Sequence, residues 1–224
     1  LEVAKEDPLG AYAVDFIKND YTRVVTTYEA TIDITYRRTP EQLRALVNVT
    51  GSSSIRQELA GALSVFAPEI ALRVGYFAED EASILALVRQ AYCDTPAAAL
   101  GMPDCTVSLY PETGRQRIVE ILLSYPGERE VIQKRQAAAL AAADRLAAPY
   151  QGISDPETRL RSLAGDLSIQ TVYDPERGGN TIWDALVAGR ADGEGLAMAL
   201  LLLGERTGLS CTRAEGRLNG APPV

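Results

Sequence analysis

The sequence contains no histidine among its 224 residues. Histidine is the side chain that titrates near neutral pH, and it is the commonest metal ligand in proteins. Its absence excludes a Ser-His-Asp triad or a Cys-His dyad built from these residues alone. It also excludes histidine-based zinc and non-haem iron sites. Any acid–base chemistry would fall to Asp, Glu, Tyr or Lys.

Cysteine is also scarce, since only Cys93, Cys105 and Cys211 occur and none of them forms a Cys-x-x-Cys motif. This spacing argues against a zinc or redox motif. Cys93 and Cys105 could form one disulfide, but we favour buried thiols, because free cysteine is among the most buried residue types. No other motif indicates a metal or a cofactor, so we expect neither.

Long apolar runs and an excess of basic residues are missing as well. The longest apolar run, Leu196–Leu203, is shorter than the roughly 18 residues that a membrane-spanning helix needs. The chain has 22 basic against 30 acidic residues, a net charge of −8. Nucleic-acid binding depends on basic patches, and only the short clusters Arg37-Arg38 and Lys134-Arg135 occur, which we interpret as solvated edges. With 46% hydrophobic residues, the composition is typical of a soluble folded protein.

The first part of the chain predicts an α+β unit. Residues 1–20 are polar and mixed, and we interpret them as a leader into the fold. A period-two apolar stripe predicts one long strand over 21–36. Thr39-Pro40-Glu41 is a helix start. The patterns then predict the following elements: helices over 54–66 and 80–92, and strands over 70–77, 105–110 and 117–125.

Glu120 interrupts the otherwise apolar strand over 117–125. A carboxylate at this position is either a sheet-edge residue or a functional one, and we favour the sheet edge.

The second part of the chain predicts helices. Glu128–Ala148 is rich in alanine, has no interior Gly or Pro, and precedes Pro149, so it predicts a long helix that connects two units. Ser154-Asp155-Pro156-Glu157 starts another helix. Asp192 is placed to cap a helix that runs to Arg206 and is apolar on nearly all sides, which indicates burial. A strand is predicted over 209–216.

The segment Thr181–Ala197 (TIWDALVAGRADGEGLA) resembles the core motif of the transglutaminase-like superfamily. Members show an aromatic-x-Ala-Leu-x-x-Gly segment and then Cys-x-Gly-Tyr-Ala at the start of a central helix, followed by a Gly-Leu or Gly-Ile turn and a strand, which Cys211–Gly216 resembles. The resemblance covers roughly the last 70 residues. It implies three parts: an α+β accessory domain over 1–126, a connecting helix over 127–150, and a degenerate or truncated transglutaminase-like (papain-like) domain over 151–224.

The resemblance also indicates what is missing. Alignment on Gly189, Gly195 and Ala197 places Gly193 where the family has its cysteine nucleophile, and the family's histidine has no counterpart here. We therefore expect no catalytic residues. The start of the helix would leave backbone N–H groups at Gly193, Glu194 and Gly195 for an anion or a peptide carboxylate. The candidate ligand-binding residues are Trp183, Asp192, Gly193, Glu194 and Gly195. Alternatively, Asp192 simply caps the helix and Gly193 relieves crowding, which is the interpretation that we favour.

The leading functional hypothesis is a non-catalytic, transglutaminase-like binding or scaffold module that recognises a peptide, a protein or a cell-wall ligand. Bacterial relatives of this type are often exported or lipid-anchored, so the resemblance implies an extracellular or cell-envelope location. One alternative is a cysteine-protease or transglutaminase-like enzyme whose remaining catalytic residues lie outside this chain. Another is an enzyme with two catalytic carboxylates, such as a glycosidase.

Overall fold

The computed structural model describes residues 2–76 and 80–213. Helices and strands are mixed along the chain, so the fold belongs to the α+β class, as the sequence predicts. The elements in chain order are α1 (Val3–Glu6), α2 (Pro8–Ala13), β1 (Val14–Val24), β2 (Thr27–Tyr36), α3 (Pro40–Arg44), β3 (Val47–Thr50), α4 (Ser52–Ser64), β4 (Glu69–Gly75), α5 (Glu81–Cys93), β5 (Asp104–Tyr110), β6 (Arg117–Ser124), α6 (Arg129–Ala147), α7 (Pro156–Gln170), β7 (Val172–Tyr173), β8 (Arg190–Ala191) and α8 (Gly193–Arg206).

Three shorter turns complete the described backbone. Two are 3-10 turns, Pro96–Ala98 and Ala148–Tyr150, and one is a π-helical turn, Asp184–Ala188. None of the helices in residues 2–76 and 80–213 is both long enough and apolar enough to cross a membrane.

The chain divides into two compact units, each built from three segments. Unit 1 comprises Leu1–Leu59, Pro68–Leu87 and Cys105–Leu123, and unit 2 comprises Ala60–Ala67, Val88–Asp104 and Ser124–Val224. The predicted ranges 1–126, 127–150 and 151–224 are continuous in sequence, whereas these units are not. Each unit is a region of dense internal packing, and dense packing does not show that a region folds independently. The predicted domain ranges therefore stay a prediction.

The first strand region of unit 1 is a hairpin, and the prediction of one long strand over 21–36 is wrong. β1 and β2 pair antiparallel, with Val24 opposite Thr27, around a turn at Val25 and Thr26. Val25 adopts a positive φ of 57°. Such turns are usually marked by Gly, Asn or Asp, and this one contains none of them.

The predicted leader is wrong as well, because residues 2–20 form α1, α2 and most of β1. Asp7 accepts a hydrogen bond from the Gly10 N–H at 2.8 Å, and Pro8 occupies the first helical position. Asp-Pro is therefore a helix start of the kind found at Thr39-Pro40. There the prediction is confirmed: Thr39 and Gln42 cap α3 reciprocally.

A four-stranded sheet in the order β3-β4-β6-β5 carries the core of unit 1. β3 and β4 are parallel and are joined through α4, while β4 and β6 are antiparallel. The side chains that this part of the chain buries completely include Ile55, Leu59, Leu72, Ile84, Ile118, Val119 and Ile121. The strands predicted over 70–77, 105–110 and 117–125 are confirmed within one or two residues, except that Phe77 lies outside the described residues.

Glu120 is not at a sheet edge, because β6 lies between β4 and β5. Glu120 is buried, with 7% of its surface exposed. Its Oε2 accepts a hydrogen bond from Arg38 Nη2 at 2.7 Å and another from the Tyr110 hydroxyl at 3.2 Å. The Arg38 guanidinium also lies 4.5 Å from the centroid of the buried Tyr12 ring. The side chains of Arg38 and Glu120 are 17% and 9% exposed, so they form a largely buried ion pair, and the prediction of Arg38 as a solvated edge is wrong.

Unit 2 is organised around α8, whose burial confirms the prediction from its apolar sequence. Met198, Ala199, Leu202 and Leu203 are completely buried on this helix. α6 and α7 both pack against it.

The sequence predicts α6 as a connecting helix, but α6 lies inside unit 2. Its buried positions Ala139, Ala143 and Ala147 recur every four residues and so form one stripe of small side chains along the helix. Small side chains permit close approach of the neighbouring helices.

The backbone after α8 is not a strand in its described part. α8 ends at Arg206, and Gly208 has the positive φ of 73° that favours glycine at a helix end. Residues 209–213 have no strand pairing. The rest of the strand predicted over 209–216 lies outside the described residues.

The ion pair between Arg38 and Glu120 generates the first prediction. Glu120→Gln leaves the Arg38 charge buried without its counter-charge, so we expect the free energy of unfolding to fall by about 3–5 kcal/mol. The matched control is Glu41→Gln, which removes an exposed ion pair to Arg44 at 3.8 Å and should cost less than about 1 kcal/mol. Urea denaturation measures both, and equal losses would contradict a special role for the buried pair.

Candidate functional site

The start of α8, which the sequence selects as a ligand site, is capped by the side chain of Asp192. Asp192 lies in extended backbone before the helix, and its Oδ1 accepts a hydrogen bond from the Gly195 N–H at 2.9 Å. The Asp192 N–H in turn donates to the Gly179 carbonyl at 3.0 Å. The capping interpretation is therefore confirmed, because the carboxylate of Asp192 occupies one of the N–H groups that a ligand would use.

The two glycines at this helix start have different surroundings. A Cβ at Gly195 would lie 2.8 Å from the Gly179 carbonyl oxygen and 3.1 Å from the Thr181 carbonyl oxygen. A Cβ at Gly193 would meet nothing within 4 Å. Gly195 is thus required by a close approach of backbone to backbone, whereas Gly193 has space for a side chain among the described residues. The expectation that Gly193 relieves crowding is therefore wrong.

Glu194 belongs to a small polar cluster. Its Oε1 lies 3.4 Å from Arg213 Nη1, and the same nitrogen lies 3.9 Å from the Cys93 Sγ. Burial raises the pKa of the Cys93 thiol, an effect that the nearby Arg213 charge opposes. A thiol is nucleophilic only as the thiolate, so this cysteine is not activated.

Trp183 contacts a side chain of α6. The Arg135 guanidinium lies 4.7 Å from the centroid of the Trp183 indole ring, within the range of a cation–π contact. Trp183 lies just before the π-helical turn that ends at Gly189, which has a positive φ of 73° as a helix end there requires. The structure therefore brings together Asp192, Gly193, Glu194 and Gly195 in one helix turn and gives Trp183 a separate partner.

The three cysteines form no disulfide, as we favoured from the sequence, but all are half-buried rather than buried. In the part of the chain that the structure describes, no group of three or more Cys, Asp or Glu side chains could hold a metal ion.

An apolar groove in unit 1 is a candidate site that the sequence analysis missed. It has a cavity volume of about 780 Å³, within the roughly 300–1,000 Å³ range of ligand pockets. The residues that the hairpin contributes to it are Val14, Ile17, Asn19, Ile32, Ile34 and Tyr36. Helices α1, α2 and α3 contribute further lining, including Leu9, Ala13 and Leu43. We call this cavity the hairpin groove.

The hairpin is amphipathic across its two faces. Directly opposite residues lie on the same face of an antiparallel pair, so the pairs Ile17–Ile34, Asn19–Ile32 and Tyr21–Ala30 share the face that lines the hairpin groove. The other face carries Lys18 opposite Asp33.

The apolar face remains in contact with solvent. Ile32 is 63% exposed and Tyr28 is 67% exposed, and Ile34 and Tyr36 are exposed too. Contiguous exposed apolar surface of this kind marks interaction sites. The signal was present in the sequence as the apolar stripe, but a stripe predicts a buried face and cannot show that nothing covers it.

The chain matches no protein-family model, no curated protein and no solved structure. The transglutaminase-like resemblance therefore rests on the residues of 181–197 and the helix that follows them.

The contrast between the two glycines yields a second prediction. Gly195→Ala forces a Cβ against the Gly179 carbonyl oxygen and should lower the free energy of unfolding by about 1–3 kcal/mol. Gly193→Ala is the matched control and should stay within about 0.5 kcal/mol of the native protein. Thermal or urea unfolding measures both variants. A large loss at Gly193 would show that its surroundings are closed.

Tyr92, which precedes Cys93, provides a third prediction. Burial raises the pKa of the Tyr92 phenol well above its ordinary value of 10.0, although its hydroxyl accepts a hydrogen bond from the Gly101 N–H at 3.3 Å. The unfolded chain therefore loses this proton at a lower pH than the folded one. Stability from Tyr92 is fully present below pH 10 and is lost as the pH rises above it, by up to about 1.4 kcal/mol per pH unit.

Urea unfolding between pH 8 and about pH 11.5 tests this dependence. We expect Tyr92→Phe to make the fall in unfolding free energy shallower. Some dependence should remain, because burial also raises the pKa of Tyr12. Tyr173→Phe is the matched control, since this side chain is half-exposed. An unchanged slope in Tyr92→Phe would contradict the assignment.

Proposed function

We propose that this chain is a non-catalytic binding module and that it binds an apolar segment of a polypeptide in the hairpin groove. The observation that carries the proposal is the uncovered apolar face of the hairpin beside a cavity of about 780 Å³. This proposal keeps the non-catalytic binding role inferred from the transglutaminase-like resemblance and moves the binding surface from the start of α8 to unit 1. A bacterial cell-surface or cell-envelope setting stays part of the proposal through that resemblance.

The absence of catalytic chemistry is supported by the residues at the start of α8. The family's nucleophile position is Gly193, and the sequence supplies no histidine. The nearby thiol of Cys93 has a raised pKa, which lowers its thiolate fraction.

The groove favours apolar side chains as ligands. Most of its lining side chains are apolar, with Asp7, Asn19 and the hydroxyl of Tyr36 as the polar exceptions among the described residues. One oxygen of the Asp7 carboxylate already accepts the Gly10 N–H. A charged ligand group would lose its hydration in such a groove without gaining partners. Burial of aliphatic or aromatic groups would be favourable by about 25 cal/mol per Å² of apolar surface.

A polypeptide is favoured over a small apolar molecule because a strand edge borders the groove. β2 pairs only with β1 among the described strands, so its other edge has backbone N–H and C=O groups without strand partners. An extended peptide can use such an edge for hydrogen bonds while neighbouring apolar pockets take its side chains. Apolar face and open edge coincide at Ile32, Ile34 and Tyr36.

The fourth prediction is tested by selecting binders from a random peptide library displayed on phage. We expect selection of peptides rich in aliphatic and aromatic residues, with affinities then measured by isothermal titration calorimetry. Ile34→Asp places a charge in the groove and should weaken binding at least about tenfold. The hairpin face is exposed, so this variant should remain folded.

Two control variants separate the groove from other surfaces. Ile169→Asp introduces the same change at an 83% exposed isoleucine on α7 in unit 2 and should leave binding unchanged. Gly193→Arg fills the space at the start of α8 and should also leave it unchanged. Failure to select any peptide, or loss of binding in Gly193→Arg alone, would contradict the proposal.

A further inference from the structure

The outer edge of β1 is the longest open strand edge in the described chain. β1 spans Val14–Val24 and, within the two-stranded sheet, pairs with β2 alone. Nearly all of its residues are exposed, among them Phe16 and Tyr21. Two-stranded hairpins are marginally stable in isolation, and long open edges are templates for pairing with another strand.

The charges along β1 alternate in sign in a symmetric pattern. Asp15, Lys18, Asp20 and Arg23 read minus, plus, minus, plus, and their arrangement is centred on Asn19. An antiparallel copy of β1 placed with Asn19 opposite Asn19 sets Lys18 opposite Asp20 of the second copy, and Asp20 opposite Lys18 of the second copy. Asp15 lies at the β-bulge between Val14 and Phe16, outside this regular register.

We propose that two copies of this chain associate through antiparallel pairing of their β1 edges, centred on Asn19. The inference concerns the edge of β1 and is independent of the proposed binding in the hairpin groove. Pairing centred on Asn19 uses the regular part of the strand that follows the β-bulge between Val14 and Phe16, since Phe16 of one copy then lies opposite Thr22 of the other.

The hydrogen-bonding pattern of the hairpin is compatible with this register. In a β-turn the residue before the two turn residues bonds to the residue after them, so Val24 and Thr27 form a hydrogen-bonded pair. Bonding to the partner strand alternates along an antiparallel pair, so odd-numbered residues of β1 direct their backbone groups to the open edge. Asn19 opposite Asn19 satisfies this requirement.

The neighbouring registers that also place odd-numbered residues opposite each other bring like charges together. Moving the centre by one residue sets Lys18 opposite Lys18 or Asp20 opposite Asp20. Like charges directly opposite each other on a sheet are destabilising.

The edge of β2 offers no comparable pattern, because its charged residues are Glu29 and Asp33, both acidic. Two β2 edges would therefore bring only like charges together. Pairing through β1 leaves the β2 edge open beside each hairpin groove. It also extends the apolar face, since directly opposite residues lie on one face and Ile17 meets Tyr21 of the second copy.

The fifth prediction follows from the central charge pair, which lies away from the β-bulge between Val14 and Phe16. Sedimentation velocity over a series of concentrations up to about 1 mM should show the native chain as a dimer. The upper end of this series is high enough to reveal a weak dimer. Lys18→Asp and Asp20→Lys each set like charges opposite each other in both pairs. Each variant alone should have a dissociation constant at least about tenfold higher.

Mixing these two variants tests the register itself. One chain then carries acids at both positions and the other carries lysines at both, so the mixed pair again has two attractive contacts. We expect equimolar mixing to restore dimers, which a nonspecific or misfolded state would not do. Circular dichroism verifies that each variant is folded, which matters because Lys18 also faces Asp33 within its own hairpin.

The matched control is Glu29→Lys. It makes the same change of charge as Asp20→Lys on the same polar face of the hairpin, but on β2, so the dimer should persist. The proposal is overturned if the native chain stays monomeric, if either reversal leaves the dimer intact, or if the mixture remains monomeric. Peptide binding by the separate monomeric variants would leave the groove proposal standing in each of these cases.

Discussion

The amphipathic hairpin β1–β2 imposes the constraint on which the functional proposals depend. One face joins Ile17, Ile32 and Ile34 with aromatic side chains, yet this face remains largely exposed. Apolar surface stabilises a fold by about 25 cal/mol per Å² only when it leaves water. A hairpin of this kind therefore gains stability from whatever covers it. Binding of an apolar segment in the hairpin groove would cover this face, whereas pairing of two β1 edges would extend it and would stabilise the hairpin through backbone hydrogen bonds instead.

Unit 2 contrasts with the hairpin because its apolar helix is covered within the same unit. α8 is packed by α6 and α7, and its start is closed by Asp192 and by the contact between Gly195 and the Gly179 carbonyl. These features explain the Asp-x-x-Gly pattern at this helix as a cap and a close backbone approach. A structural explanation is therefore sufficient for both Asp192 and Gly195.

The elements that could be predicted from sequence are those with local signals. The caps at Thr39, Asp155 and Asp192 each accept the expected backbone N–H. The turn at Val25 and Thr26 was missed because its residues are not typical turn formers. The strand predicted from residue 209 was wrong in its described part, because an apolar sequence forms a strand only beside a partner edge. The hairpin groove was missed because periodicity shows which face is apolar but not whether another element covers it.

The sequence by itself determined the α+β class, the positions of most helices and of strands β4, β5 and β6, and the lack of histidine chemistry, because all of these depend on neighbouring residues or on composition. Only the tertiary structure decided the surroundings of single side chains. Glu120 accepts a hydrogen bond from Arg38, which lies 82 residues away in the sequence, and it lies on an inner strand rather than at a sheet edge. Trp183 makes a cation–π contact with Arg135 of α6. Contacts between residues distant in sequence depend on how the elements pack, and no local pattern encodes them.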